Sequence, residues 1–222
     1  MRILEAGFFS NDLPSTADFC REALGLTLAE NNGETVTALA GSSRIVFRKS
    51  LLPQPACHYA FNIPFSIVDD AARFMSGKVT LIEHEGKPVV DFSAWNARAF
   101  YFRDNLGNIV ELIGRKDIAD AGGEFSPASI ECVSEVAVVT DSVGETCRDL
   151  TLKTGLAPYD RQPVLYNFAA MGDANGLLIL SSENRHWFPT GILTKKYPVN
   201  IKADISGTPM LLEFNHEDQI LR

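Results

Sequence analysis

The chain has 222 residues, room for one large domain or two small ones at roughly 150 residues each. Hydrophobic residues make up 45% and charged residues 22%, proportions that exclude a disordered, fibrous or disulfide-dense chain. Twenty Lys and Arg against 28 Asp and Glu leave a net charge of -8, which repels phosphate backbones and anionic lipid, so neither nucleic acid nor a membrane is expected as a partner.

The predicted elements repeat along the chain. Leu4 to Phe9 reads as a strand, and Asn11-Asp12 caps a helix whose apolar residues Leu13, Ala17, Cys20 and Leu24 fall at helical spacing before the stop at Gly25. Thr35 to Leu39 and Arg44 to Phe47 form a hairpin around Gly41-Ser42-Ser43, with a short strand at Leu26 to Ala29. The order recurs with a strand at Tyr59 to Ile63, a helix over Val68 to Met75, and strands at Val79 to Glu83, Ala97 to Arg103 and Asn108 to Ile113. Asp117 to Ser129, with Gly122-Gly123 and Pro127, reads as a boundary. A third unit follows: a strand at Val133 to Val139, a helix over Asp141 to Lys153, and strands at Leu165 to Ala169 and Leu177 to Leu180. Val199 to Ile205 and Met210 to Phe214 remain as a truncated fourth. The division is therefore a first domain over 1–116, a linker over 117–128 and a second, partly truncated domain over 129–222.

No apolar run reaches the roughly 18 residues of a membrane helix, and Glu5 interrupts the N-terminus where a signal-peptide core would lie. Cys20, Cys57, Cys132 and Cys147 show no CxxC spacing and read as reduced thiols of a cytoplasmic protein. GxSxG, GxxxxGK[ST] and a strand-borne GxGxxG are all absent.

Three polar residues, Glu5, His58 and Glu111, interrupt apolar strands at an even spacing of 53 residues. A buried carboxylate or imidazole costs several kcal/mol unless it is paired or binds a metal. Two converging carboxylates without a cation would repel, and one would keep its proton. A divalent metal with one nitrogen and two oxygen ligands meets both demands. Singly, each residue also has an ordinary explanation: a core or rim histidine beside Cys57, or a solvated glutamate near the chain start.

The run Tyr101-Phe102-Arg103-Asp104-Asn105-Leu106-Gly107-Asn108-Ile109-Val110-Glu111-Leu112 closely resembles the closing motif of the vicinal oxygen chelate superfamily. That superfamily includes glyoxalase I, bleomycin- and fosfomycin-resistance proteins, methylmalonyl-CoA epimerase and extradiol dioxygenases. Asp12-Leu13 through Phe19-Cys20 to Leu24-Gly25-Leu26 resembles its opening motif, and His58-Tyr59-Ala60-Phe61 the start of a second module. These motifs span 1–115, with a weaker echo over 129–222. The resemblance implies an α+β fold in which repeated βαβββ modules form curled mixed sheets, arranged as two tandem glyoxalase-like domains.

It also implies that Glu5, His58 and Glu111 hold the metal, with Glu5 standing where the superfamily usually has His. That departure weakens an oxygen-activating reading, and the place of a fourth ligand falls near Val46, which cannot ligate. Glu5 and Tyr101 are the candidate catalytic residues, Glu5 as the carboxylate that leaves the metal to move a proton. Trp95 and Phe61 are candidates for an apolar pocket wall, and Arg98 and Arg103 for steering an anion. In the second half Glu135 is the counterpart of Glu5, but Asn200 to Lys202 stands where a His would be needed and Leu211, not Glu213, falls opposite Glu111. That half is therefore expected to lack a complete metal site, with no role for His186, Trp187 or His216.

The expected activity is a metal-dependent, glyoxalase- or epimerase-like isomerase or lyase acting on a small substrate with neighbouring oxygens. The donor set favours Mn²⁺, Mg²⁺ or Fe²⁺, with Ni²⁺ or Zn²⁺ also compatible. A metal-free, bleomycin-resistance-like binding protein and an extradiol-type ring-cleavage dioxygenase are the alternatives. Oligomeric state stays open.

Overall fold

The computed structural model of the chain describes residues 1–215. β1 (Arg2–Ser10) leads into α1 (Leu13–Asp18), whose first turn is capped by the Asp12 carboxylate accepting the Ser15 N–H at 3.1 Å. A π turn over Phe19–Ala23 extends the helix, and β2 (Thr27–Asn31), β3 (Thr35–Ala40) and β4 (Ser43–Lys49) complete the module. The second module holds β5 (His58–Ile63), α2 (Val68–Ser76), β6 (Leu81–Ile82), β7 (Val89–Phe92), β8 (Ala97–Arg103) and β9 (Ile109–Arg115). The third has β10 (Cys132–Thr140), α3 (Val143–Thr154), β11 (Phe168–Asp173) and β12 (Gly176–Ser182), and an isolated bridge from Pro158 to Met171 replaces one of its strands. The fourth consists, among the described residues, of the hairpin β13 (Val199–Ile205) and β14 (Thr208–Phe214). Among the described residues, no helix is long and apolar enough to cross a membrane.

The chain is thus α+β, with two glyoxalase-like halves whose repeated modules combine into two curled mixed sheets. One sheet has the order β14-β13-β1-β4-β3-β2, and the other runs β11-β12-β10-β5-β9-β8-β6, with β7 on the far side of β8. The first and fourth modules therefore share one sheet, and the second and third share the other. Residues 116–131 make the crossing from β9 to β10. The arriving chain is fastened to the first module at the β3–β4 turn, where Ser42 N–H donates to Glu131 O at 2.8 Å. Gly41, at φ +57°, is required there, because a Cβ would lie 2.0 Å from that same carbonyl oxygen. Ser43 completes the fastening, its hydroxyl donating to Ile3 O at 2.6 Å and accepting the Val133 N–H at 2.9 Å.

Alternation along the second sheet separates two apolar clusters. Tyr59, Phe61, Val110, Leu112, Val136 and Val138 face the large core, where all three helices also bury their apolar sides. Ala60, Ile109, Ile113, Ala137, Leu177 and Ile179 face the other way, into a smaller cluster that lines the open side of the sheet. β7 escapes the sequence reading because Pro88 and Asp91 bound only two apolar residues, Val89 and Val90.

The Asp104–Asn108 turn sets the register of the β8–β9 hairpin. Buried Asp104 accepts the Leu106 and Asn108 N–H groups through Oδ1, both at 2.9 Å, and the Asn108 amide and Tyr59 hydroxyl through Oδ2, at 2.7 and 3.0 Å. Gly107 supplies the left-handed residue at φ +83°. The turn brings Tyr101 opposite Glu111 across the hairpin. Replacing Asp104 by Ala strands these donors in the interior, and unfolding in urea is expected to show a loss of roughly 2–4 kcal/mol. A loss below about 0.5 kcal/mol would mean that water replaces the carboxylate freely.

Candidate metal centre and cup

Ala60 lies at the middle of the centre strand β5, and both of its neighbours across the sheet are glutamates. It pairs with Glu111 of parallel β9 on one side and with Glu135 of antiparallel β10 on the other. Strands roughly 4.8 Å apart put the two glutamates about 10 Å apart at the backbone, and the short methyl of Ala60 leaves the space between them open. His58, two residues earlier on the same face of β5, extends into that space. Its Nε2 lies 3.4 Å from Glu111 Oε2 and 3.6 Å from Glu135 Oε2. Potential donor atoms of the three residues all lie within 4.8 Å of one another, and all three are buried.

Each of these groups has its remaining polar atom held from behind. His58 Nδ1 donates to Ile109 O at 3.1 Å, so the neutral ring carries its lone pair on Nε2. The Tyr101 hydroxyl donates to Glu111 Oε1 at 2.9 Å. The fully buried Arg115 guanidinium donates to Glu135 Oε1. It also faces the rings of Trp95 and Tyr159 at 5.6 and 6.0 Å. Outer partners of this kind orient metal ligands and tune their basicity. The donor set, one imidazole nitrogen and two carboxylate oxygens on the inner side, suits a hard or borderline divalent cation.

The electrostatics separate the two carboxyls. Burial, then the charge of Glu135, pushes the Glu111 carboxyl up to about 8, a rise only partly offset by His58. Burial also acts to raise Glu135, but the nearby His58 and the charge of Arg115 outweigh burial and hold it below the ordinary carboxylate range. Burial acts to lower His58, and its close contact with Glu135 together with the charges of both glutamates carries it above its ordinary value instead.

The cluster forms the floor of a cavity of about 260 Å³. Its walls are the rings of Phe92, Trp95, Tyr101, Phe168, Trp187 and Phe188, with Ile113 and Ile179 between them. Two rings are pinned: Trp95 Nε1 donates to Gln162 at 3.2 Å and Trp187 Nε1 to Ala56 O at 3.1 Å. Trp187 also lies against the His58 ring, with centroids 5.9 Å apart. Apolar Leu177 and Ile179 of β12 occupy the side of the cup where β10 pairs with its own parallel neighbour.

The residues singled out from sequence are distributed as follows. His58, Glu111, Tyr101 and Trp95 meet in the cup. Glu5 stands on the other sheet, where Lys202 Nζ lies 3.0 Å and Arg48 Nη2 3.9 Å from its carboxylate. Its charge is answered by two cations, and Glu135 takes the place in the cluster that the sequence reading assigned to it. The cluster accordingly spans both halves of the chain rather than lying within 1–116. Phe61 points into the large core, Arg98 pairs with Asp69 through two 2.7 Å contacts, and Arg103 is solvent-exposed. Val46 is buried and His186 exposed, while His216 lies outside the described residues.

Glu135, Arg115 and Trp187 are the functional candidates missed from sequence. The signal for Glu135 was available: it lies 130 positions after Glu5 within Val133 to Val139, a more apolar run than that around Glu5. Arg115 and Trp187 carried none, since each depends on which strands become neighbours.

No family model and no curated protein sequence matches the chain. Among solved structures, a proposed dioxygenase from Bacillus subtilis subsp. subtilis str. 168 aligns over 96% of this chain and 69% of its own, at 16% identity and a TM-score of 0.57. Glyoxalase I from Zea mays aligns over 93% of this chain and 76% of its own, at 14% identity and a TM-score of 0.57. A variant of that enzyme gives a TM-score of 0.59 at the same coverage and identity. These likenesses establish the fold, one shared with glyoxalase I.

The raised Glu111 pKa predicts a pH dependence in metal-free protein. Its folded-state value, about 8, exceeds its ordinary value of 4.5. Its contribution to stability is therefore fully present below pH 4.5 and lost as the pH rises through about 8. Glu111→Gln carries no such proton, so the stability of the variant relative to wild type is expected to improve steadily across that interval. Parallel pH profiles for the two proteins in urea would contradict the assignment.

Proposed function

We propose that the protein is a metal-dependent isomerase or lyase of the glyoxalase and epimerase type, acting on a small substrate with neighbouring oxygens. The observation that carries this reading is the convergence of His58, Glu111 and Glu135 on one point, each held from behind by a separate partner. These three residues would hold the cation, with Mn²⁺, Mg²⁺ or Fe²⁺ favoured and Ni²⁺ or Zn²⁺ compatible. A divalent ion there supplies Lewis-acid stabilisation of an enolate-like or alkoxide charge.

The chain's own residues divide the remaining work. Glu111 Oε2 faces the cup while the Tyr101 hydroxyl occupies Oε1. Without a cation, burial and Glu135 push this carboxyl up to about 8; a bound cation would favour its ionised form, so that Glu111 could act as the carboxylate that takes up a proton. Glu135, tied to Arg115, stays ionised and serves as the fixed charge. Two carboxyls with environments pushed in opposite directions are thereby given different roles. Glu5, outside the cup, has no part in the proton transfer. The aromatic walls exclude water from the reacting atoms and strengthen every charge interaction on the floor. A cytoplasmic location belongs to the same proposal, in keeping with four free cysteines.

A second reading is a metal-free binding protein, favoured by the fact that protonated His58 and Arg115 would balance the charges of Glu111 and Glu135. A ring-cleavage dioxygenase draws support from the likeness to the Bacillus protein, and the single imidazole of the cluster weighs against it.

Elemental analysis of protein purified without a histidine tag separates the first two readings. One equivalent of divalent metal is expected in the wild type and in Glu5→Gln, and metal-depleted protein in His58→Ala and Glu135→Ala. Tyr101→Phe should weaken affinity about 10- to 100-fold. A folded wild type that takes up none of Mn²⁺, Fe²⁺, Ni²⁺ or Zn²⁺ in excess, or a Glu5→Gln variant that alone loses metal, would overturn the proposal.

A further inference from the structure

The proposed function uses the floor of the cup and leaves its upper wall unexplained. Burial falls off from His58, Glu111 and Glu135 at the bottom to Trp95, Phe168 and Arg185, which are half-buried, and Phe188, which is exposed. Arg185 is the cation on this rim. Its backbone N–H is bound to Thr194 Oγ1 at 3.0 Å, but its guanidinium has no ion pair and no hydrogen bond among the described residues. The other arginine of the cup, Arg115, is consumed by Glu135 beneath the wall.

The Arg185 guanidinium lies over the Phe168 ring, 4.5 Å from its centroid. A guanidinium held over a ring face keeps its N–H groups available to meet a planar anion in two parallel hydrogen bonds. Partial burial lowers its pKa with no acidic neighbour to offset the effect, so the charge is held at a cost that a bound anion would relieve. In a chain of net charge -8, a lone cation on a pocket wall also marks the place where an anion can settle. The rings beside it offer flat apolar surfaces, with Phe92 and Tyr101 each packed edge-to-face against Phe188. A volume of about 260 Å³ lies below the usual range for drug-sized ligands and fits a molecule built on one ring.

We infer that the cup selects a flat, apolar-bodied anion of about one ring, its carboxylate held at the rim by Arg185 and its neighbouring oxygens turned toward His58, Glu111 and Glu135. The second contact rests on the proposed function; the first does not.

Calorimetric titration with two sets of inert probes tests the contacts separately. Benzoate against benzamide reads the Arg185 contact alone in metal-free protein. Benzohydroxamic acid against its 3- and 4-carboxy derivatives reads both contacts in protein supplied with Mn²⁺. The carboxylate is expected to strengthen binding about tenfold or more within each set, in the second for at least one of the two carboxy derivatives. Arg185→Met should erase that difference, and Arg185→Lys should restore part of it. A wild type that binds neither benzoate nor benzamide, or shows no preference between them, overturns the inference. So does a preference that survives in Arg185→Met, or a variant that binds none of the probes. If benzoate is preferred through Arg185 while Mn²⁺ leaves hydroxamate binding unchanged, the anion contact stands and the metal reading fails. If Mn²⁺ strengthens hydroxamate binding but the carboxylate adds nothing, the metal reading stands and this inference fails.

Discussion

Two glutamates flank one alanine across three adjacent strands, and the rest of the cup answers the charge that this register creates. In a buried site the repulsion between Glu111 and Glu135 cannot be left to solvent. His58 enters between them, Arg115 closes on the far oxygen of Glu135, and Tyr101 on that of Glu111. Ala60 is as much a part of the arrangement as the charged residues, since a larger side chain there would fill the space where the three groups meet. A divalent cation is the remaining group that would draw both inner oxygens and Nε2 toward one centre without asking either carboxyl to keep a proton.

The same register exists on the other sheet with different occupants. β1 pairs with β4 and β13 as β10 pairs with β12 and β5, and each of β1 and β10 carries a bulge just before its glutamate. Glu5 faces Lys202 there instead of Ala60, and Asn200 stands where His58 stands in the cup. Lys202 and Arg48 neutralise the carboxylate directly. One scaffold thus carries the same register twice, once with its glutamate neutralised by salt bridges and once built around a histidine. The truncated fourth module supplies β13 and, on its far side, β14, which runs antiparallel where β9 runs parallel and sets Leu211 beside Lys202 as Glu111 is set beside Ala60, so among the described residues nothing there repeats Glu111.

Most of the local structure was legible in the sequence. Alternation of apolar residues, the Asp12 cap and the Asp104–Asn108 turn placed nearly every strand and helix within a few residues, because each signal is local. The residue types of the centre were legible as well: a histidine and two glutamates inside apolar strands. The choice of the second glutamate was not, because Glu5 and Glu135 are equivalent within their own modules. Only the pairing of modules distinguishes them, and that is decided by the crossing over 116–131 and its fastening at Gly41 and Ser43. The contacts of Arg115 and Trp187 follow from the same long-range choice, which no spacing within one module encodes.

The central claim is therefore one of place: the cation site lies between the second and third modules, not beside Glu5. Crystals grown with Mn²⁺ and measured at the manganese absorption edge test it directly. One anomalous peak bounded by His58, Glu111 and Glu135 is the predicted result. A peak beside Glu5, or none in the cup at saturating Mn²⁺, would contradict it.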